Sequence, residues 1–489
     1  MNKPLYTGSE WNMELIHSLW EHIERIGRET FEFDPYEAQI ELISSEQMLD
    51  AYSSVAMPVL YNHWSFGKTF VQNERQYQKG QQGLAYEVVI NTNPCIAYLM
   101  ENNTSTLQAL VLSHASVGHS HFFKNNYLFK GWTDADTIID YLKFARNYIK
   151  SCEEKYGEKE VEYLLDACHA LQNHGVDKYR KPGRLSDSLT YDRQKEWEKH
   201  AETTFNDLWR TVPKSDVAKL SNTNERIGEE NLLYFIEKNS PILKDWQREV
   251  VRIVRKISQY FYPQRQTQLL NEGFATFCHH LIMTEMHDQG LIDDGAYLEF
   301  LASHSNVITQ LDWDHKYYSG INVYALGFAM LTDIRRICES PDEEDLKWFP
   351  EIANTDWLST IKHIIENYRD ESFVLQFLSP KVARKFKLFS IHIQESKNHL
   401  TVNATHDDDT FLQIRKTLAE QYDLSRAIPQ IEVVEVDWND DRTLYLEHVT
   451  KNRQRLNYRE AKQTMEFIHE LWGFPVDITY VDLEGKSID

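Results

Sequence analysis

Apolar residues recur at helical spacing through most of the first 388 residues of the chain. Amphipathic helices are predicted at 160–173 and 246–262, where apolar side chains return every three or four residues. The basic residues of 246–262 are interpreted as a solvated face. A charged, weakly apolar stretch at 181–228 interrupts the helical pattern, and we expect it to be a surface excursion. The pattern predicts a large, mostly α-helical N-terminal domain over 1–388.

The character of the sequence changes after Pro380, where alternating apolar and polar residues replace the helical spacing. The remaining segments follow in the order β-β-α-β-β-α-β, with turn-forming residues between them. Such an order describes a small domain of about 100 residues, which we place at 389–489. The predicted fold class is therefore α+β, with a large helical domain followed by this small one. Because 389–489 contains no nucleophile, phosphate-binding loop or ligand cluster, we interpret it as an interaction module.

Composition and charge disfavour some classes of function and some cellular locations. The 489 residues carry a net charge of −23, which disfavours nucleic acid as a partner because its phosphates would be repelled. No apolar run has the length of a membrane span, and the N-terminus lacks an apolar signal core. The five cysteines are odd in number and form no CxxC pair, which is typical of free thiols in a reducing compartment. The expected location is the cytoplasm.

The segment 107–126 combines an apolar helical face with several histidines. The apolar stripe continues onto His114, seven residues after Leu107. A buried imidazole needs a partner, so the alternatives are a hydrogen-bonded core histidine and a metal ligand. His114 and His119 are five residues apart, on nearly opposite sides of an unbroken α-helix. They can serve one site only if the helix ends or is distorted at Gly118.

A second candidate segment is 268–280, where a polar stripe runs beside an apolar one. Glu272 and His279 lie on one helix face, whereas His280 is rotated by about 100°. Seven residues span roughly 10 Å along a helix, a long distance for two ligands of one ion. The NEGFA run resembles the glutamate-bearing helix of thermolysin-like zinc peptidases, but the chain has no HExxH motif. We therefore do not expect a member of that peptidase class.

The helix predicted at 160–173 is a third candidate. Glu162, Asp166 and His169 form a polar stripe offset by one residue from the apolar one. A carboxylate three residues before an imidazole is a spacing by which helical bundles hold a metal. The same spacing recurs elsewhere in the chain, so the signal is unspecific. Solvated or hydrogen-bonded side chains are the competing interpretation.

Several long motifs, in order along essentially the whole chain, resemble those of the stage V sporulation protein R (SpoVR) family. They are YxHWSFGK at 61–68, YExVINTNP at 86–94, HAxxGHxxFFKNN at 114–126, VExxLDxCHAL at 161–171, NEGFAxxxH at 271–279 and RDESF at 369–373. Two positions depart from the family pattern. Phe274 stands where the family has tryptophan, and Val323 where it usually has proline.

This resemblance implies a cytoplasmic protein linked to spore-cortex or cell-envelope (peptidoglycan) formation, or to the stress response. It points to a branch of the family from bacteria that form no spores. It also implies two partners, a PrkA-like serine kinase and a von Willebrand A-domain protein. The sharper chemical hypothesis is a metal-dependent enzyme, in particular a hydrolase.

Zinc or iron is the expected divalent metal because the candidate donors are imidazoles and carboxylates. The expected ligands, with Glu272 also expected as the catalytic residue, are His114, His119, Glu272 and His279. Glu162, Asp166 and His169 are expected to support these ligands or to hold a second metal. The alternative hypothesis is a non-catalytic regulatory or scaffold protein whose buried histidines and glutamates satisfy one another.

Overall fold

The computed structural model describes residues 3–53, 60–78, 87–178, 229–394, 399–404, 407–424, 428–450, 456–482 and 484–488. The predicted surface excursion at 181–228 lies outside these ranges. The chain divides into two compact units. The first unit comprises Met1–Tyr163 and Gln259–Ile428, and the second comprises Leu164–Ser258 and Pro429–Asp489.

Helices account for most of the described residues. In chain order they are α1 (Met13–Arg25), α2 (Ser45–Ser53), α3 (Trp64–Gln78), α4 (Ser105–Val111), α5 (Ser120–Asn125), α6 (Tyr127–Trp132), α7 (Ile138–Tyr156), α8 (Glu158–Ala170), α9 (Leu232–Asn239), α10 (Asp245–Gln266), α11 (Gln268–Asp288), α12 (Asp294–Val307), α13 (Val323–Glu339), α14 (Glu343–Trp348), α15 (Trp357–Asn367), α16 (Asp370–Phe377), α17 (Pro380–Lys385), α18 (Asp408–Tyr422) and α19 (Tyr458–Trp472). π-Helical segments at Ile26–Thr30 and Leu112–His119 follow α1 and α4. No helix in the described ranges is both long and apolar enough to cross a membrane.

The strands are β1 (Ala38–Ile43), β2 (Glu87–Ile90), β3 (Cys95–Met100), β4 (Phe389–Gln394), β5 (His399–Ala404), β6 (Gln430–Val436), β7 (Leu444–Val449) and β8 (Val476–Val481). In the first unit, β3 is the central strand of a three-stranded sheet, parallel to β1 and antiparallel to β2. Glu87 begins β2 and is paired with Leu99 of β3. A carboxylate therefore lies at the end of an otherwise apolar strand.

Helix α11 runs through the core of the first unit, and small residues allow close neighbours on two sides. A Cβ atom added at Gly273 would lie 2.5 Å from the Cα atom of Gly327 in α13. A Cβ atom at Gly118 would lie 2.7 Å from the Cα atom of Ala275. Real side chains do not tolerate such distances, so both contacts require glycine. They hold α13 and the π-helical segment Leu112–His119 directly against α11.

The C-terminal elements follow the predicted order β-β-α-β-β-α-β, and the α+β fold class is confirmed. The strands form two separate sheets. β4 and β5 are an antiparallel pair, whereas β7 lies between antiparallel β6 and parallel β8.

The contacts divide this C-terminal region at Pro429, not at residue 389. Leu418 and Ala419 of α18 belong to the hydrophobic core of the first unit. Arg415 donates hydrogen bonds to the backbone oxygens of Leu375 and Gln376, at 2.5 and 2.7 Å. These contacts join 389–428 to the helical unit. An independently folding domain over 389–489 stays a prediction.

In the second unit, the basic residues of α10 surround one buried carboxylate. The side chain of Glu237 in α9 is 1% exposed, and its two oxygens accept hydrogen bonds from Arg252 Nε and Arg255 Nε, both at 3.0 Å. Arg248 donates to the backbone oxygens of Glu237 and Ser240, each at 2.5 Å, where α9 ends. The interpretation of a solvated basic face was wrong here because these cations pair a buried anion and cap a helix.

Candidate metal centre

A π-helical segment brings His114 and His119 together. Backbone bonds in a π-helix run from residue i to i+5, so residues five apart lie one turn apart on the same side. The two rings are edge to face, with centroids 4.7 Å apart, and both side chains are buried. The distortion that a shared site would require is present, and it extends over Leu112–His119. Gly118 contributes the close contact with α11, and the chain continues as a helix beyond it.

Helix α11 supplies the acidic side of the site from its first turns. Its N-terminus is held by the buried carboxylate of Asp370, which accepts hydrogen bonds from the backbone N–H groups of Leu269 and Leu270, both at 2.9 Å. Burial raises the pKa of Asp370 to about 7, although these N–H groups act to lower it. This contact from 100 residues away fixes the start of the helix that carries Glu272.

The candidate metal centre consists of Glu87, His114, His119 and Glu272. His114 Nε2 lies 3.4 Å from Glu87 Oε1 and 3.6 Å from Glu272 Oε2. His119 Nε2 lies 3.5 Å from Glu272 Oε2. Ligand atoms of Glu87, His114 and His119 all lie within 4.8 Å of one another. Four donor atoms from three segments of the chain therefore converge on one small volume.

Two oxygens of this centre lack hydrogen bonds. Glu87 Oε2 and Glu272 Oε2 are buried, and no hydrogen-bond partner lies among the described residues. Both side chains line a cavity of about 960 Å³, which His114 and His119 also line. Buried polar atoms are normally hydrogen-bonded, so oxygens without a hydrogen bond at a cavity are typical of a site that can bind a ligand.

Charge and burial act in opposite directions within the centre. Burial lowers the pKa of His119, but the carboxylate of Glu272 outweighs this effect and raises the pKa to about 9. Burial also raises the pKa of Glu272, yet His119 and His114 outweigh it and hold the pKa well below its usual range. The pKa of Glu87 is raised by burial, which His114 partly offsets. His119 and Glu272 therefore form an ion pair next to a less favourably ionised Glu87.

His279 lines the same cavity as the carboxylates, and its two ring nitrogens contact other histidines. Its Nδ1 is 3.0 Å from His114 Nδ1, and its Nε2 is 2.8 Å from Nδ1 of His304 in α12. Burial and the neighbouring His114 lower the pKa of His279 well below its usual value. Burial likewise lowers the pKa of His304, to about 4. Both ring nitrogens of His279 are thus engaged by other imidazoles.

The third sequence candidate is located on α8. Glu162 is exposed, whereas Asp166 and His169 are half-buried. None of these side chains is among the described residues that line the cavity or form the metal-binding group. Their supporting role or second metal site stays a prediction.

Sequence reasoning did not assign Glu87, Asn271 or His304 to the site. Asn271 Oδ1 lies 2.9 Å from His119 Nδ1, and so orients that ring. A signal existed for Glu87, because a carboxylate at the start of an apolar strand is unusual. No local signal marks His304, since it joins the site only through a contact with His279, 25 residues earlier.

The chain combines a mostly helical unit, which carries this His/Glu centre, with a C-terminal sheet of three strands. The family model described as "SpoVR like protein" matches residues 10–427, and "SpoVR-like C-terminal domain" matches 429–483. The chain belongs to the SpoVR family. The boundary between these two matches falls where the contacts divide the C-terminal region, at Pro429.

One curated relative is similar over nearly the full length. The chain is 51% identical over 492 residues to "Uncharacterized protein YcgB" of Escherichia coli (strain K12). The match covers 99% of this chain and 96% of that protein. No solved structure matches the chain.

Proposed function

We propose that this protein is a metal-dependent enzyme with a hydrolytic reaction. One observation carries the proposal: the carboxylates of Glu87 and Glu272 lie 3.4–3.6 Å from two imidazole Nε2 atoms, and each has a buried oxygen without a hydrogen bond, at a cavity of about 960 Å³. A core histidine that is merely satisfied by a neighbour needs neither a second carboxylate nor a cavity. The surplus of acceptors supports a bound cation.

The donor set fits zinc or iron(II). Imidazole and carboxylate ligands suit both ions, and two histidines with one glutamate form a common catalytic zinc site. Atoms that each lie about 2 Å from one ion are roughly 3–4 Å apart, comparable with the separations within Glu87, His114 and His119. We assign these residues as the ligands. Asn271 supports the assignment because it turns His119 Nε2 towards the cluster.

Glu272 is the proposed general base. A divalent metal in the centre would polarise a carbonyl or phosphoryl oxygen of the substrate. Glu272 Oε2 is held in its charged form beside both imidazoles, so it can accept a proton from an attacking water. His279 is assigned a supporting place behind His114, which differs from the ligand role predicted from sequence.

The biological setting of the proposal comes from family membership. We place the reaction in the cytoplasm, in cell-envelope or spore-cortex formation or in the stress response. The proposed partners are a PrkA-like serine kinase and a von Willebrand A-domain protein. The net charge of −23 supports a protein or small-molecule substrate over nucleic acid.

A non-catalytic regulatory or scaffold protein is the second candidate. The contacts of Glu272 with His114 and His119 favour it, because they let buried groups compensate one another without a metal. The two hypotheses differ in what Glu272 must do. A general base needs a carboxylate, whereas a structural partner of an imidazole can be an amide.

The test compares Glu272→Gln with Glu285→Gln, a control on the same helix whose carboxylate pairs with Gln289. Both variants are expressed at equal levels in cells that lack the native gene, and rescue of the envelope or stress phenotype is scored. The enzyme hypothesis predicts that Glu272→Gln folds, retains zinc and fails to rescue, while Glu285→Gln rescues fully. Full rescue by Glu272→Gln would remove the general base and favour the regulatory protein.

A further inference from the structure

Three imidazoles form a continuous chain of hydrogen bonds that leads away from the candidate metal centre. His114 Nδ1 is 3.0 Å from His279 Nδ1, and His279 Nε2 is 2.8 Å from His304 Nδ1. All three side chains are buried, and His279 has no exposed surface. They come from the π-helical segment, α11 and α12, so the chain exists only in the folded unit.

The chemistry of imidazole makes this chain directional. A neutral ring has one N–H donor and one acceptor nitrogen. A doubly protonated His279 would be a fully buried cation between two imidazoles, which is a costly arrangement. In the neutral chain, His279 must donate at one nitrogen and accept at the other. Both hydrogen bonds therefore point the same way, either towards His304 or towards His114.

The two directions have opposite consequences at the metal centre. When the bonds point towards His304, His114 carries its hydrogen on Nδ1, and its Nε2 lone pair faces Glu87 and Glu272. When they point towards His114, the hydrogen occupies Nε2 and blocks coordination. Only the first direction lets His114 bind a metal, and it requires an acceptor at His304 Nδ1.

We propose that His279 and His304 are positioning residues that set the metal-binding tautomer of His114 through this chain of hydrogen bonds. The proposal rests on the metal centre proposed above. A ligand histidine commonly donates its other ring N–H to a carboxylate or a carbonyl. Here His279 and His304 take the place of that carboxylate or carbonyl, and the final acceptor is Nδ1 of His304.

The first test measures Zn²⁺ affinity of the full chain by competition with a chelating indicator. His304→Leu removes the acceptor and should weaken Zn²⁺ binding by about 10–100-fold, as loss of a supporting partner does. His304→Asn retains an acceptor oxygen near the Nδ1 position and should bind close to wild type. His280→Leu is the matched control, since its ring packs beside His304 outside the chain. Equal affinity of His304→Leu and wild type, or equal loss in both His304 variants, would overturn the proposal.

A second variant separates the hydrogen-bond chain from simple packing. His279→Asn keeps an acceptor for His114 Nδ1 but ends the link to His304. In that background, His304→Leu should have no further effect on Zn²⁺ affinity, because the two residues are then uncoupled. If His304→Leu still lowers Zn²⁺ affinity by the same factor in this background, His304 acts by packing, and the proposed hydrogen-bond chain would be withdrawn.

Ring-¹⁵N histidine NMR distinguishes failure of this inference from failure of the proposed function. Zn²⁺-loaded wild type should show His279 with its hydrogen on Nε2, and metal-free His304→Leu should lose the single His279 tautomer of metal-free wild type. If wild type binds no Zn²⁺, the proposed function fails. The spectra of the metal-free protein still test the hydrogen-bond chain of the three histidines. The hydrogen-bond chain would be supported if metal-free wild type shows one dominant His279 tautomer and His304→Leu disturbs it. An identical spectrum in wild type and His304→Leu would refute the hydrogen-bond chain.

Discussion

The side chain of Glu237 is 1% exposed and that of Glu272 is 21% exposed. Both glutamates have cationic or basic neighbours, but the oxygens of the two carboxylates differ in their hydrogen bonds. Each carboxylate oxygen of Glu237 accepts a hydrogen bond from an arginine Nε at 3.0 Å. Glu272 Oε2 accepts none from the described residues and lies 3.5 and 3.6 Å from two imidazoles at a cavity. Arginine is always charged, whereas imidazole can lose its proton and bind a metal.

We propose that this difference separates a structural charge cluster around Glu237 from a functional one around Glu272. Full pairing of a buried charge leaves nothing for a ligand to gain, so the Glu237 cluster contributes to the fold. Incomplete pairing leaves a site that a cation would stabilise. Residue types alone do not distinguish the Glu237 cluster from the Glu272 cluster, since both combine glutamate with basic residues.

The largest expected effect is on the stability of the Glu237 cluster. Glu237→Gln leaves Arg252 and Arg255 without their anion, and should lower the free energy of unfolding by about 3 kcal/mol, the low end for buried pairs because the arginines are partly exposed. Glu272→Gln should cost less, about 1–2 kcal/mol, because His119 can become neutral and bond to the amide. Chemical denaturation of metal-free protein measures both values. A greater cost at Glu272 would reverse the comparison.

Metal addition should act on one cluster alone. Zn²⁺ at 100 times its Kd should raise the free energy of unfolding by about 2.7 kcal/mol. Glu237→Gln should retain this increment, since its cluster holds no ligand, while His119→Ala should lose it and excess chelator should reverse it. Thermal unfolding with and without Zn²⁺ measures the increment. An equal increment in His119→Ala would place the ion elsewhere.

The smallest expected effect, about 1–2 kcal/mol in the free energy of unfolding, is that the contributions of Glu237 and His119 depend on pH in opposite directions. Burial would raise the pKa of Glu237, but Arg255 and Arg252 outweigh it and lower the pKa below the unfolded value. Its stabilisation is therefore present above pH about 4.3 and lost as the pH falls through the folded pKa. The raised pKa of His119, about 9, gives stabilisation that is present below about 6.5 and lost as the pH rises through 9.

Unfolding midpoints across this pH range test the two signs with Glu237→Gln and His119→Gln in metal-free protein. The deficit of Glu237→Gln should shrink in acid, and that of His119→Gln should shrink in alkali. If the unfolding midpoints of wild type and a variant change in parallel with pH, the charge pair that the variant removes does not contribute to the pH dependence of stability.

Local patterns predicted the helices and part of the site. Apolar spacing is set within a few residues, so α8 and α10 could be predicted to within four residues of their observed bounds, although α10 continues through Pro263. The five-residue spacing of His114 and His119 correctly required a distorted helix. Spacing could not show that a π-helix would supply the distortion, because its cost is offset by packing against α11.

Long-range contacts explain what sequence could not supply. Glu87 reaches His114 through strand pairing, and His304 reaches His279 through the packing of α12 on α11. The sequence does not show that α18 packs into the core of the first unit, and the predicted domain boundary at 389 does not include that contact. Glu162, Asp166 and His169 have a spacing that suits a metal, and their role stays a prediction.

Metal content of the full chain, purified without a chelating tag, tests the central claim most directly. We expect at least about 0.5 equivalents of zinc or iron per chain, as for a site built from imidazole and carboxylate donors. His119→Ala should reduce the content to background, and Glu237→Gln should leave it unchanged. A folded, metal-free wild-type protein that cannot be loaded with either ion would contradict the account.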